Sequence, residues 1–509
     1  MHLVDLATVR TPKHFRSLTL QSALIALPLL LTLGIFLLYL ATYFAYAYNL
    51  FKFPFDYDQG EGFELYDAIR LARGENIYLD NAQFPFYASN YPPVYRTLLV
   101  PLIWLFGPKL YVGRAVAFAC SLVIGGVIFL AARYLLRRSE DEGMRRFPSS
   151  PHLLIPLICA LAFFAANYVY HVGPLARAHL PMVMFAIAGV YCLERAFDDA
   201  AGKPRRRTAP LFAGLAVALL MAAAFTKLQA VDALAAGFGF LLLRKPNGFD
   251  GVAGCLSFTL IFLLLMDKAT AGQFWLNVVS ANVNEYDIDV TWRTYYQWFC
   301  LQGALIVCSV VYVMWDGVAA IRARSFQPIS IWSLYFVAGS ALGMLTGKWG
   351  AGPTYLIAAI AASCVCTAGL FGRLLVNGYW LIRSTPITNN QLPITLITLL
   401  FAAVMLNPSQ IQHPPARHRS LLWAGGADGG RGECAKRLPA LPVLRHHWLH
   451  AAWAFCGCGG HRQRLGPRQH PGQRARPGVE RGSHADFVGG QRRRHQPNSV
   501  AQPEQKQHA

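Results

Sequence analysis

The strongest constraint on the fold is a series of apolar runs, most of them close to the roughly 17–25 residues that an α-helix needs to cross a bilayer. The first run spans residues 20–48, and others follow as far as residue 406 in a chain that is 54% hydrophobic. The first run is too long for the apolar region of a signal peptide and has no small-residue cleavage site. The sequence therefore predicts an all-α, polytopic transmembrane helical bundle whose first membrane helix is residues 20–48.

The distribution of Lys and Arg predicts the side of the membrane that each loop occupies, because basic residues favour the cytoplasmic side. Lys13 and Arg16 precede the first helix, which places residues 1–19 in the cytoplasm and residues 49–109 outside. A second span at residues 110–136 ends at a basic cluster typical of a cytoplasmic loop. That cluster consists of Arg133, Arg137, Arg138, Arg145 and Arg146.

Nine further helices complete a predicted bundle of about 11 spans in a multi-pass protein of the plasma (inner) membrane. They are expected at residues 152–170, 175–196, 210–226, 228–243, 251–266, 298–320, 329–346, 354–376 and 391–406. The segment 98–106 is apolar but too short to cross, so it is expected to lie at the membrane interface. Besides the first loop, residues 267–297 and 346–355 are then external parts of the bundle that spans residues 110–406.

The final segment, residues 407–509, does not follow this pattern, because it is rich in Arg, His, Gly and Pro. Ten of the fifteen His residues lie after about residue 412. Two interpretations stay open: a disordered basic arm, or a shift of reading frame in a GC-rich gene. The formal net charge of +20 does not indicate nucleic-acid binding, because the basic residues lie between apolar runs or in this segment.

The first external loop contains a concentration of carboxylates directly after the first membrane helix. Five acidic residues lie within a dozen positions, in a chain of which only 14% of the residues are charged: Asp56, Asp58, Glu61, Glu64 and Asp67. The simplest interpretation is an exposed acidic turn that keeps the loop soluble. The alternative is a catalytic site at the mouth of a membrane helix.

The order of several motifs resembles that of a known family. The segments are FDYDQGEGFELYDAIRLARGENIYL, NYPPVY and GRAVAFACSLVIGGVIFLAARYLLRR, followed by GPLARAHLPMVMFAIAGVY, FTKLQAVDALAAGFGFLLLRKP and GKWGAGPTYLIAAIAA. Together they resemble the GT-C integral-membrane glycosyltransferases, in the dolichyl-phosphate-mannose-protein-mannosyltransferase-like (glycosyltransferase 39-like) branch. The resemblance covers most of residues 20–380.

The resemblance implies an enzyme that moves one sugar from a polyprenyl-phosphate donor to an acceptor hydroxyl, with inversion, on the external face. The acceptor is a lipid, a glycan or a protein. An acceptor hydroxyl needs a carboxylate to take its proton, for which Asp58 and Asp56 are ranked nearly equal and Glu61 third. Glu64 is expected on the solvated face of a short helix that ends at Arg73, and Asp67 on its inner face.

The leaving lipid phosphate needs cations, and the external helix ends supply several. Lys348 in TGKWGAGPTY is the first candidate, since a Lys at the membrane edge is costly unless it snorkels or meets an anion. Arg177 and Lys227 are further candidates, although ordinary interfacial roles are favoured for both. Three more residues are candidate substrate ligands but are expected to be mainly structural: Arg96, Arg114 and Tyr91.

Asp56 and Asp58 match a D-x-D pair, which holds a divalent metal in other glycosyltransferases. Two carboxylates alone make a weak site and a lipid-monophosphate donor has less need of a metal, so neither metal nor cofactor is expected.

The main rival function is a multipass transporter or lipid flippase. The sequence has no convincing inverted repeat and no matched pair of broken helices, which argues against this alternative.

Overall fold

The computed structural model describes residues 14–58, 60–84, 86–141, 151–197, 208–244 and 248–384. All of them lie within one compact unit, Met1–Gly425. The expected span at residues 391–406 and the segment 407–509 lie outside the described residues.

The described residues form α-helices joined by turns and single-turn 3-10 helices, without a β-strand among them. The α-helices are α1 His14–Lys52, α2 Gly60–Ala72, α3 Val94–Phe106, α4 Leu110–Asp141, α5 Pro151–Ala165, α6 Asn167–Val172, α7 His179–Ala196, α8 Ala209–Thr226, α9 Val231–Arg244, α10 Gly248–Ala269, α11 Gln273–Val278, α12 Ile288–Ala323, α13 Ile331–Leu342 and α14 Ile357–Ser384. The predicted all-α class is therefore confirmed for this part of the chain.

Five of these described helices contain segments long and apolar enough to cross a membrane. The segments are Leu30–Lys52, Leu110–Arg138, Ala209–Thr226, Ile288–Ala323 and Pro353–Leu374, the last of which includes the 3-10 turn before α14. At 1.5 Å per residue, the 13 residues of α3 extend about 20 Å, which is too short to span the core. The total of eleven spans stays a prediction.

Two predicted boundaries differ from the structure. The helix expected at residues 152–170 divides into α5 and α6, because Ala166 has an extended backbone conformation (φ −67°, ψ 124°). The external segment 267–297 is largely helical: it contains α11, and α12 begins at Ile288. The hydropathy pattern did not detect that start because residues 288–297 alternate polar and aromatic side chains.

The core of the bundle is built around α14, which packs on α4, α12 and α13, while α7 packs on α4 and α8. Small side chains let these helices approach closely, as is usual between membrane helices. At Gly339 of α13, an added Cβ would lie only 3.0 Å from the backbone nitrogen of Ala359 in α14. The rigid bundle holds the helix ends that carry the charged residues described below.

One end of the bundle, here called the loop end, consists of residues 53–93, 270–287 and 343–356. These ranges overlap the three segments that the sequence predicts to be external, 49–109, 267–297 and 346–355. Asn277 accepts a hydrogen bond from the backbone N–H of Ser89 at 3.0 Å. The N–H of Trp349 donates to the carbonyl of Glu285 at 2.8 Å, and the N–H of Asp287 donates to that of Gly347 at 2.9 Å. Residues far apart in sequence therefore form one surface at this end.

Candidate functional site

The carboxylates of α2 share one buried face of the helix. Glu61, Glu64 and Asp67 are three residues apart, a spacing that places side chains on the same side of an α-helix. All three are buried. The expectation that Glu64 lies on the solvated face is therefore wrong, because this face of α2 packs against two arginines of the bundle.

Glu61 and Arg114 form a buried bidentate ion pair that fixes the start of α2 to α4. Arg114 Nε lies 2.8 Å from Glu61 Oε1 and Nη2 lies 2.7 Å from Oε2, and both side chains are 0% exposed. The backbone N–H groups of Ala176 and Tyr57 also donate to Glu61, at 2.8 and 2.9 Å. Burial raises the pKa of Glu61, but the hydrogen bonds from Arg114, Ala176 and Tyr57 outweigh it, so that the pKa is lowered.

Arg114 has no capacity left for a substrate, because its remaining N–H groups donate to backbone carbonyls of the first loop. These carbonyls belong to Leu50, Phe53 and Phe55, at 2.7, 2.5 and 2.8 Å. Glu61 and Arg114 are thus saturated by the protein. The geometry gives them a structural role, and it does not support Glu61 as the proton acceptor.

Arg96 of α3 pairs with the other two carboxylates of α2. Its Nε lies 3.0 Å from Glu64 Oε2 and 2.8 Å from Asp67 Oδ2, and its Nη1 donates to Ser89 Oγ at 2.9 Å and to the Tyr91 carbonyl at 2.7 Å. Burial lowers the pKa of Arg96, but the charges of Glu64 and Asp67 raise it by more. Arg96 therefore holds the YPP turn against α2 instead of facing an open site.

Asp56 and Asp58 differ from the α2 carboxylates in being accessible. The side chain of Asp58 is 41% exposed and its Oδ1 accepts a hydrogen bond from the N–H of Gly60 at 3.2 Å. Asp56 is exposed, and its carboxylate lies so close to Gly62 that an added Cβ there would be 2.5 Å from Oδ2. Partial burial, with the charge of Glu61, raises the pKa of Asp56.

Arg177 is the cation nearest to Asp58. Its Nη1 lies 3.6 Å from Asp58 Oδ1, and its side chain is 19% exposed. Arg177 follows Ala176, whose N–H binds Glu61, so the same turn anchors α2 and places the guanidinium beside the first loop. A carboxylate of the first loop thus lies beside a cation from a turn that is distant in the sequence.

Lys227 lies deeper at the loop end, directly after α8. It is 4% exposed, and its Nζ lies 3.0 Å from His179 Nδ1 and 4.5 Å from the centre of the Tyr91 ring. None of the salt bridges found among the described residues joins Lys227 to a carboxylate. The site thus contains a buried ammonium group that lacks a direct anionic partner within the described structure.

The cations of the site influence one another. Burial lowers the pKa of Lys227 well below its usual value, and the charges of Arg177 and Lys348 lower it further, while Glu64 opposes them. Burial also lowers the pKa of Lys348. These effects place Arg177, Lys227 and Lys348 within electrostatic range in one cationic cluster, a name used below for these three residues.

Lys348 lies on the turn between α13 and α14 and is held by backbone pairing with Tyr286. Its ammonium has no salt bridge to Asp56 or Asp58 among the described contacts. The cation that contacts Asp58 is therefore Arg177, and Lys348 belongs to the cluster through its electrostatic effect on Lys227.

Sequence reasoning missed two members of the site. His179, which no sequence motif singles out, contacts Lys227. Glu64 was expected in solvent, yet it is buried and its Oε1 has no hydrogen-bond partner among the described residues. The spacing of three between the α2 carboxylates was the available signal for Glu64, whereas no sequence pattern linked His179 to Lys227.

The described residues contain no group of three or more His, Cys, Asp or Glu side chains arranged to hold a metal ion. Asp56 and Asp58 instead accept hydrogen bonds from backbone N–H groups at the start of α2. Independence from a metal and from a cofactor stays a prediction.

Comparisons with known proteins found similar solved structures but no matching family model and no matching curated protein. ArnT from Cupriavidus metallidurans, solved with bound undecaprenyl phosphate, is 14% identical with a TM-score of 0.48, and the match covers 74% of this chain and 76% of ArnT. The oligosaccharyltransferase AglB from Archaeoglobus fulgidus, solved with an inhibitory peptide and a dolichol-phosphate, is 11% identical with a TM-score of 0.44. That match covers 79% of this chain and 57% of AglB.

With identities of 14% or less and TM-scores below 0.5, the matches do not by themselves assign an activity to the chain.

Proposed function

We propose that the chain is a membrane glycosyltransferase that moves a single sugar from a polyprenyl-phosphate donor to an acceptor hydroxyl on the external face. The observation that carries this proposal is the cationic cluster around Lys227. A buried ammonium group without a carboxylate partner is costly to maintain. It becomes favourable when an anion of the size of a phosphate enters beside it.

The cluster supports a role in stabilising the leaving group. During transfer the bond between the anomeric carbon and the phosphate oxygen breaks, and negative charge grows on that oxygen. Lys227, Arg177 and Lys348 would bind this charge at a site that is already assembled, which is the usual way in which enzymes lower such a barrier. His179 and the Tyr91 ring hold the Lys227 ammonium in place.

Asp58 is the proposed general base. It lies beside Arg177 at the edge of the cluster, and its half-exposed carboxylate has only one hydrogen bond and a 3.6 Å ion contact in the described structure. In an inverting reaction the acceptor oxygen attacks the anomeric carbon from the side opposite the phosphate, while the carboxylate takes the hydroxyl proton. Asp56, two residues earlier, is the second candidate.

In this arrangement the carboxylates of α2 have structural roles, and the two carboxylates just before α2 are available for the reaction. Glu61 with Arg114, and Glu64 and Asp67 with Arg96, hold α2 against the bundle. Asp56 and Asp58 lie just before α2 and stay accessible. The acceptor and water would enter from the aqueous side, and the lipid donor from the membrane.

The proposal is tested with the full chain reconstituted in lipid vesicles and a radiolabelled polyprenyl-phosphate sugar. Asp58→Asn is expected to reduce the transfer rate by about 10²- to 10⁴-fold, the usual contribution of a general base. The matched control is Glu75→Gln, which removes a carboxylate near the end of α2 that is 42% exposed and pairs only with Arg70 at the surface.

Full transfer activity in both Asp58→Asn and Asp56→Asn would remove the proposed base. Movement of the labelled lipid between leaflets without a new glycosidic bond would favour the alternative, a transporter or lipid flippase.

A further inference from the structure

A cavity of about 360 Å³ lies at the end of the bundle opposite the loop end. Its volume is within the range of ligand pockets. Side chains of α4, α7, α9, α12 and α14 line it. It is remote from the cationic cluster, because Arg138 of α4 lines the cavity and Arg114 of the same helix holds the first loop. At 1.5 Å per residue these two positions are about 36 Å apart along α4.

Three arginines from three different helices converge on this cavity: Arg138, Arg244 and Arg373. Arg373 donates to Asp316 Oδ1 at 2.5 Å, and its Nη1 is buried without a partner among the described residues. Glu194 also lines the cavity, and its Oε2 accepts the indole N–H of Trp332 at 2.7 Å. Among the charged side chains that line the cavity, the three arginines outnumber Glu194.

The acidic residue behind Arg373 is already satisfied by the protein. Asp316 Oδ2 accepts hydrogen bonds from the N–H of Ser330 at 2.9 Å and from Ser333 Oγ at 2.5 Å. Asp316 is 1% exposed, so it orients Arg373 and does not itself face the cavity. The guanidinium lies over the Tyr312 ring at 4.2 Å, which fixes its plane.

The cavity also has an apolar wall that continues onto the outer surface of α12. Trp315 lines the cavity, and Val318, three residues later on the same side of the helix, is 44% exposed. Met314 and Ile321 of the same helix are exposed as well, by 64% and 78%. A ligand that lies in the cavity and along this surface would need an anionic head and an apolar tail.

We propose that this cavity binds the phosphate headgroup of an anionic membrane phospholipid, at a site separate from that of the sugar donor. Guanidinium groups match the geometry of phosphate oxygens and bind them through paired N–H groups. Basic pockets between membrane helices on the cytoplasmic side bind such headgroups, and the positions of Arg133, Arg137 and Arg138 predict that side for this end of the bundle. The proposal does not depend on the proposed enzymatic activity.

The test uses the purified full chain in detergent and measures retained lipid by native mass spectrometry, with phosphatidylglycerol as the probe and phosphatidylcholine as the reference. The wild type is expected to retain phosphatidylglycerol at least tenfold better. The double substitution Arg138→Gln with Arg244→Gln is expected to abolish this preference. Arg137→Gln is the matched control, because Arg137 is exposed and adjacent to Arg138 but does not line the cavity.

Arg373 is left unchanged, because its loss would leave the buried Asp316 without its cation. A second measurement needs no variant: phosphatidylglycerol, and not phosphatidylcholine, should raise the melting temperature of the wild type. Equal retention of the two lipids by the wild type, or an unchanged preference in the folded double variant, would overturn the proposal. Displacement of phosphatidylglycerol by an equal concentration of soluble glycerol phosphate would also overturn it, in favour of a water-soluble ligand.

Discussion

Gly60 and Arg177 occupy adjoining space at the start of α2, where a Cβ atom added to Gly60 would overlap Nη1 of Arg177. The guanidinium can lie beside Asp58 only because residue 60 has no side chain. Two features of the first loop, the glycine and the neighbouring carboxylate, are thus linked to a cation more than a hundred residues later.

Gly60→Ala is therefore expected to displace Arg177 from Asp58 and to lower the transfer rate at least tenfold, equivalent to about 1.4 kcal/mol. The measurement is the rate of sugar transfer by reconstituted protein. Gly126→Ala is the control, because an added Cβ at Gly126 meets open space and alanine favours the helix. Unchanged transfer in Gly60→Ala would show that the position of Arg177 does not matter for the reaction.

Much of the fold follows from hydropathy alone. The predicted spans at 110–136 and 210–226 correspond to α4 and α8, and the short segment at 98–106 lies within α3. The two spans are predicted correctly because each is a continuous apolar run of bilayer-spanning length. The start of α12 at Ile288 was missed, since its first turns carry acidic, aromatic and polar residues that hydropathy cannot distinguish from a loop.

The site was only partly predictable, because a sequence gives the kinds of charged residue but not their pairing. The acidic loop and the cations Arg177, Lys227 and Lys348 were identified from their positions at external helix ends. Which carboxylate meets which cation depends on tertiary packing. The spacing of three residues between Glu61, Glu64 and Asp67 predicts that they share one face of α2. That this face is buried depends on its ion pairs with Arg96 and Arg114, which the spacing alone does not reveal.

The ion pair between Glu61 and Arg114 is expected to stabilise the protein without taking part in the reaction. Glu61→Gln leaves a fully buried guanidinium without its counter-charge, which costs about 3–5 kcal/mol. The prediction is a large fall in melting temperature in detergent, with little change in the rate per folded molecule. The control Glu75→Gln breaks a surface pair, which contributes about 0–1 kcal/mol. A stable Glu61→Gln variant that fails in transfer would instead indicate a catalytic role.

The buried charge of Lys227 is expected to lower the stability of the folded protein while it strengthens the binding of polyprenyl phosphate. Because its ammonium is 4% exposed and lacks a carboxylate partner among the described residues, Lys227→Met should leave the melting temperature unchanged or raise it. The same substitution should weaken binding of polyprenyl phosphate at least tenfold. This combination distinguishes a functional cation from a structural one, because the loss of a structural ion pair would lower both the melting temperature and the affinity for polyprenyl phosphate. A fall in stability with unchanged binding would contradict the prediction.

The pH dependence of lipid-phosphate binding tests the same group in a different way. Burial, together with the charges of Arg177 and Lys348, lowers the pKa of Lys227 below 10.5, so that the ammonium loses its proton at a lower pH than an ordinary lysine. Binding of the phosphate needs the charged form, and therefore affinity should fall as the pH rises through the lowered pKa. The second pKa of a phosphate monoester is ~6, so the charge of polyprenyl phosphate stays constant above about pH 7.5. A titration from that pH upward therefore reports protonation of the protein alone. Lys227→Arg provides the control, because a guanidinium stays charged over this range. Its affinity should fall less with pH than that of the wild type, and the remaining fall reports Lys348, whose pKa burial also lowers. A wild-type affinity that is constant up to the usual pKa of lysine would show that Lys227 does not meet the phosphate.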